Sequence, residues 1–421
     1  MNSIALSFTG LASFLLLVLP RRWAPLPFLM AACYITQGQV VMIGPFHFTV
    51  IRILVAIGIV RIVLRGERPV GGLNGLDWLM ILWAVWALSS ALFHRDPQAT
   101  LINRLGHSWD ALGIYFLMRC AWRNLDEVKG AIVVIAILLA PVALEMINEQ
   151  IAHRNIFSVF GGVSEVPAMR EGHFRAQGPF RHSILAGTVG AISVPLMIGI
   201  WRTNPHAAKL GLAACLVMVV TSVSSGPLMS LFAAILGIVL WKWRQYTKEM
   251  RIGAVVGYFL LDLIMKAPAY YIIARIDLVG GSTGWHRARL IESAIEHISE
   301  WWLVGTDYTR HWMPTGVSWS PEHTDITNHY LRMGVLGGVP LMLLFISCVW
   351  WGFRYVGEIL KNNETVSNHN LFLVWALGAS LFAHAVTCIS VSFFDQSSMF
   401  LYLNLAMISS LRNEVSDPSK K

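Results

Sequence analysis

The amino-acid sequence predicts an all-α polytopic membrane protein with about 12–13 transmembrane helices. Apolar runs of roughly 18 residues or more recur along nearly the whole chain. Each is long enough to cross a bilayer as a helix, the form that satisfies its own backbone polar groups. Only 13% of the 421 residues are charged, against about a quarter in a soluble domain, and 55% are hydrophobic. The chain therefore reads as a single integral membrane domain, 1–421, with no soluble domain to separate from it.

Taken in order, the spans fall near 4–20, 24–43, 48–65, 77–93, 107–122, 128–147, 183–201, 207–223, 226–243, 252–273, 328–352, 370–390 and 396–411. The first follows no basic segment and precedes Arg21 and Arg22, so it reads as a membrane helix rather than a cleaved signal. Seventeen tryptophans and ten tyrosines suit interfacial belts. The net charge of +8 comes from short basic segments between spans, such as "RGERP", "WRTNPHAAK" and "KWRQYTKEMR", and so argues for membrane topology and against nucleic acid. No lysine falls in the alternate connections, which places the first set in the cytoplasm, the N-terminus outside and the C-terminus inside. The five cysteines lie in or beside apolar runs without metal-ligand spacing and read as small buried hydrophobes.

Two external connections are long, 148–182 and 274–327, and connections of that length are usually functional. The first ends in "FRAQGPFRHSILAG", where Gly178-Pro179 turns the chain and sets Arg175 and Arg181 beside the start of a helix. The second contains an amphipathic helix with an apolar stripe of Leu290, Ile291, Ala294, Ile295, Ile298 and Trp302, capped by Ser282 or Thr283. His286, Arg287 and Arg289 crowd its first turns, where unpaired N–H groups favour negative charge. A bound anion reconciles the two, through N–H groups and guanidinium forks. Pairing of Arg289 with Glu292 or Glu296, and snorkelling of Arg175 and Arg181, are the alternatives. A third element, "HTDITNHYLRMGVLGG", opens the span near 328. Asp325 and His329 are four apart, as are Asn328 and Arg332, so each pair shares a face if the helix begins early enough. A carboxylate holding an imidazole is a general-base arrangement; a helix cap and an interfacial histidine are the plainer reading.

In this order, "RAQGPFRHSILAG", "VTSVSSGPLMSL", "HRARLIESAIEHISEWWLVGT" and "DITNHYLRMGVLGG" resemble motifs of the O-antigen ligase and polysaccharide polymerase superfamily of bacterial inner-membrane glycosyltransferases, over roughly residues 100–345. The resemblance implies a GT-C-like helical enzyme with a large periplasmic loop. It implies a glycan donor on undecaprenyl diphosphate, a glycan or lipid acceptor, and no metal or other cofactor. Membrane lipids and other polysaccharide-assembly proteins are the implied company. Carried over, Arg175 and Arg287 hold the diphosphate, with Arg181 and Arg289 beside them. His329 is the first candidate base, His323 the second and Asp325 the third, while Asn328 and Arg332 position substrate. The chain departs from the pattern twice. Gly226-Pro227 follow Ser225 where an arginine is common, and Thr327-Asn328 stand where ligases place a His-Asn pair. The second departure points to a polymerase rather than a lipid A-core ligase. A flippase or transporter shares the topology but calls for broken helices and ionisable groups at mid-membrane. Embedded candidates are few: Arg52, Asp110, Glu145, Lys266, Arg332 and His384.

Overall fold

A computed structural model describes residues 1–275, 284–361 and 367–415, with side chains to 412. The predicted Ser282 and Thr283 caps lie outside the described residues. The chain is an all-α membrane protein with two small hairpins. Helices α1 (Ser3–Val18) and α2 (Pro25–Tyr34) lead to a hairpin of β1 (Val40–Ile43) and β2 (Phe46–Thr49). Then come α3 (Val50–Arg65), α4 (Gly75–Ser90), α5 (Pro97–Ala121) and α6 (Leu125–Ala152). A second hairpin, β3 (Ala168–Arg170) with β4 (His173–Arg175), precedes α7 (Ser183–Gly199), α8 (Pro205–Thr221), α9 (Ser225–Val239) and α10 (Thr247–Ile264). Helices α11 (Gly284–Glu296) and α12 (Ile298–Trp301) belong to the second long connection, and α13 (His329–Lys361), α14 (Asn368–Ser390) and α15 (Ser398–Val415) follow it.

Every predicted span contains a helix. Among the described residues five stretches are long and apolar enough to cross a membrane: Gly75–Phe93, Leu125–Ala152, Ser225–Ile264, His329–Lys361 and Asn368–Ser390. Helices α1, α7 and α8 are apolar but shorter. Local chemistry sets the ends. Asn74 and Asp77 form a capping box at α4, and Thr49 and Asn124 cap α3 and α6. α7 is buried nearly all round, against α8, α9 and α14.

Several boundaries differ from the sequence reading. The predicted span 24–43 ends at Tyr34, because its last part pairs as β1 with β2. The predicted span 252–273 ends as α-helix at Ile264, and Lys266 lies beyond it. The amphipathic helix breaks at His297, so Trp301 rather than Trp302 is buried, and Ile295 and Ile298 are exposed. Leu290 and Ala294 pack with Trp301, Trp312 and Met313 in a small core of their own.

The loops that carry candidate residues gather at one end of the bundle. His94, after α4, holds Asp307 (Nδ1 to Oδ1, 2.5 Å) and faces the Val304 carbonyl at 3.1 Å. Gln39 and Thr36 bond the Phe160 carbonyl. α13 is broken at Gly337 and Gly338, and the break lets the long connection hydrogen-bond into the helix. Thr306 N–H donates to the Val335 carbonyl (3.0 Å) and Val339 N–H to the Trp302 carbonyl (2.7 Å). Gly338 has φ +75°, and a Cβ there would overlap the Leu303 carbonyl. Gly338→Ala should therefore lower stability by more than the ~1–3 kcal/mol typical of such backbone strain alone. A melting midpoint in detergent equal to wild type would show that the docking can relax.

Candidate functional site

The first long connection is fixed from below by the end of α6. Glu149 accepts backbone N–H groups of Gln177 (3.0 Å) and Gly178 (2.5 Å), and Asn155 Nδ2 donates to the Gly178 carbonyl at 2.8 Å. Gln150 ties the Phe174 and Thr221 carbonyls together. The β3–β4 hairpin turns through Glu171 (φ +49°) and Gly172 (φ +81°), a two-residue loop with both φ positive, as a tight hairpin requires. Strand alternation then puts Arg170, His173 and Arg175 on one face of the hairpin. On the other face Phe174 stacks on His153, ring centroids 4.0 Å apart.

Arg175 reaches the Ser-rich turn, where its Nη2 donates to Ser224 Oγ at 2.8 Å. That hydroxyl donates in turn to the Ser222 carbonyl and does not cap α9. Ser225 Oγ, at the first residue of α9, is buried without a partner. So is Nε of Arg175, and so is Nε of Arg287 on α11, a residue only 8% exposed. Burial lowers the pKa of Arg175 and Arg287, and the charge of Arg170 lowers both further, against an opposing effect of Asp325 on Arg287. His182, before α7, is pushed down to about 4 by burial, then by Arg175 and Arg170. The charge of Arg170 thus bears on arginines from both connections, and Arg175 stands beside an uncapped helix start, an arrangement suited to a multivalent anion. Arg170 was missed in the sequence reading. Its signal was the Glu-Gly turn flanked by short strand-like runs.

Other candidates are placed differently. Arg181 turns an exposed side chain outward and gives its backbone N–H to Asp395 Oδ2 (2.8 Å). Arg289 is paired with Glu292 and Glu296, the alternative noted above, and its guanidinium is not among the unpaired cations. Asn328 caps α13 by accepting the Leu331 N–H at 3.0 Å. α13 begins only at His329, so Asp325 precedes it and the shared helical face does not form. Exposed Asp325 instead stands beside His286, whose Nε2 is 3.1 Å from its carbonyl. His323 lies against Trp319 in the long connection, its pKa lowered by burial.

His329 and Arg332 point into a second place, a cavity of about 90 Å³ inside the bundle. Arg52, Trp83, Arg104, His107, Ser108, Asp110 and Asp395 also line it. The non-helical segment 391–397 forms one wall. Phe393 N–H donates to His329 Nδ1 (3.2 Å), and Arg332 Nη1 donates to the Phe393 carbonyl (2.7 Å). Gln396 Nε2 donates to the Pro179 carbonyl (2.7 Å), linking this wall to the Gly-Pro turn. Arg104, His107 and Ser108 were also missed. Their spacing puts them on one face of α5.

Among the described residues one group could hold a metal ion: His297, Glu300 and His311, with donor atoms within 4.8 Å of one another. Internal bonds already engage these groups. Glu300 contacts His311 Nε2 (3.0 Å) and Trp312 Nε1 (3.2 Å), and His297 Nδ1 faces the Ser293 carbonyl at 2.8 Å. No family model, curated protein or solved structure matches the chain.

Proposed function

We propose that the chain is a GT-C-like polysaccharide polymerase. It transfers a glycan from undecaprenyl diphosphate to a sugar hydroxyl of a lipid-linked repeat unit, at the periplasmic face of a bacterial inner membrane. The observation that carries this reading is the charge of Arg170 bearing on both Arg175 and Arg287, each with a buried guanidinium nitrogen unpaired, with Arg175 bonded to Ser224 just before α9. A diphosphate leaving group is already an anion, and fixed guanidinium forks and helix N–H groups stabilise the charge it gains as the glycosidic bond breaks. A ligase acting on lipid A-core would use the same donor site.

A transporter needs its ionisable groups near the bilayer midplane. Arg52, Arg104 and Arg332 instead stand within about 10 Å of their helix starts, at 1.5 Å per residue, at the end where the loops gather, and Asp110, farther along α5, is paired with Arg52. This favours chemistry at the membrane surface over passage through it.

The test is transfer by purified protein supplied with undecaprenyl-diphosphate oligosaccharide. Products lengthened by whole repeat units are expected. Product only on added lipid A-core would make the chain a ligase, and movement of the lipid between leaflets without new glycosidic bonds would make it a flippase.

Sidedness is tested separately. All five cysteines are buried, while Ser164 and Thr315 are exposed. Ser164→Cys and Thr315→Cys should react with an impermeant thiol reagent in intact spheroplasts, and the unmodified chain should not. Protection of both would reverse the orientation and remove the proposed reaction.

A further inference from the structure

The cavity behind His329 has a charge and donor pattern that the donor diphosphate does not use. Three arginines (Arg52, Arg104, Arg332) face two aspartates (Asp110, Asp395) there. Arg52 is committed to Asp110 through three hydrogen bonds of 2.9–3.2 Å. Asp395 is committed to the backbone, accepting N–H groups of Arg181 and Ser397, each at 2.8 Å. Arg104 and Arg332 are left with neutral acceptors only, the carbonyls of Leu336 and Phe393 at 2.7 Å each and the Ser392 hydroxyl at 3.3 Å. Arg104 also lies in the field of Arg332.

Three further groups lining the cavity are buried and unpartnered: Arg104 Nε, Trp83 Nε1 and Ser108 Oγ. Each of these residues is 5% exposed. All three can donate, and leaving a buried donor unmade costs about 1–3 kcal/mol. With Arg52 neutralised and Asp395 held by backbone, the formal excess is one positive charge. That suits a monoanion and not a diphosphate. Trp83, Phe393, Phe394 and Tyr402 add aromatic surface to the lining, the kind of face on which a pyranose ring packs.

We propose that this cavity is a carboxylate subsite for an acidic sugar, a uronic-acid residue of the glycan. Arg104 and Arg332 bind its carboxylate, and Ser108 and Trp83 donate to its oxygens. That the carboxylate belongs to a sugar rests on the glycan-transfer reading; the anion site itself does not.

The experiment is calorimetric titration of the purified full chain in detergent with glucuronate, glucose and pyrophosphate. Glucuronate should bind, and glucose at the same concentration should not. Arg104→Lys and Ser108→Ala, which keep charge or volume and so spare the fold, should each weaken glucuronate binding by about tenfold, the value of one lost hydrogen bond to a charged group. Equal binding of glucose, or absence of glucuronate binding, would overturn the proposal. Pyrophosphate displacing glucuronate from the unmodified chain, but not from Arg104→Lys, would overturn it in favour of a second diphosphate site. None of these results bears on oligosaccharide transfer, so a failed cavity proposal leaves the glycosyltransferase reading standing, and a chain that binds glucuronate without transferring glycan separates the two in the other direction.

Discussion

Replacing Arg175 or Arg287 by alanine should lower glycan transfer by about 10²–10³-fold while the protein still inserts in the membrane and purifies normally. That is about 3–4 kcal/mol of transition-state stabilisation, at 1.36 kcal/mol per decade. The two arginines approach from different elements, the β3–β4 hairpin and α11, and each keeps a buried Nε without a protein partner. The charge of Arg170 bears on both. Such mutual repulsion is destabilising in the empty site and is relieved by a diphosphate, so loss of one guanidinium removes charge neutralisation where the leaving group gathers it. Arg175→Lys and Arg287→Lys should remain severely impaired, because an ammonium on a flexible stem cannot reproduce a planar fork. Arg170→Ala should also lose activity, by less, because Arg170, unlike Arg175 and Arg287, has no buried nitrogen left unpartnered among the described residues. Arg289→Ala should stay near wild type, since Glu292 and Glu296 already occupy that guanidinium. Wild-type turnover in Arg175→Lys and Arg287→Lys would mean that both residues serve only to hold their loops.

The contrast between Arg287 and Arg289 shows what the sequence could and could not convey. Both sit in the first turns of one helix, and spacing offers each the same choice between an anion and a glutamate. Which face is buried decides. α11 packs through Leu290 and Ala294, which takes Arg287 inward and leaves Arg289 on the outer face with its glutamates. The helices themselves were legible because apolar length dominates in a bilayer. The second span was misread because composition does not register that 40–49 turns back on itself as a hairpin. Likewise the Asp325–His329 pairing assumed a helix already begun at 325, and Asn328 capping α13 moves the start to 329. The cavity was invisible for another reason. Arg52 and Asp110 stood out singly as embedded charges, but their meeting across α3 and α5, and the wall formed by 391–397, are tertiary facts.

His329 should act as a hydrogen-bond donor and not as the base. Phe393 N–H donates to its Nδ1, which requires the lone pair there and leaves the proton of the neutral ring on Nε2. Asp325, the proposed orienting carboxylate, precedes the helix, and no hydrogen bond joins it to the ring among the described residues. To accept a proton at Nε2 the ring would have to carry its hydrogen on Nδ1, pointing at another N–H. His329→Ala should therefore lose about 10²-fold in kcat, the scale of one preorganised donor. His329→Gln, whose amide can donate from a similar reach, should recover at least about a tenth of wild-type turnover and keep the wild-type pH profile. A general base typically contributes about 10²–10⁴-fold and writes its own acid limb on the pH–rate curve. If His329 had that role, His329→Gln would be as inactive as His329→Ala and the acid limb would vanish with it. The remaining base candidates lie on the long connection, Asp325 beside Arg287 and His323 against Trp319. Asp325→Asn preserves shape while removing the proton acceptor and the negative charge that bears on Arg287. A loss there of 10²-fold or more, with Arg287 binding of the donor intact, assigns the base to Asp325. Normal turnover in Asp325→Asn and His323→Ala alike leaves the arginines and acceptor positioning as the whole of the catalysis.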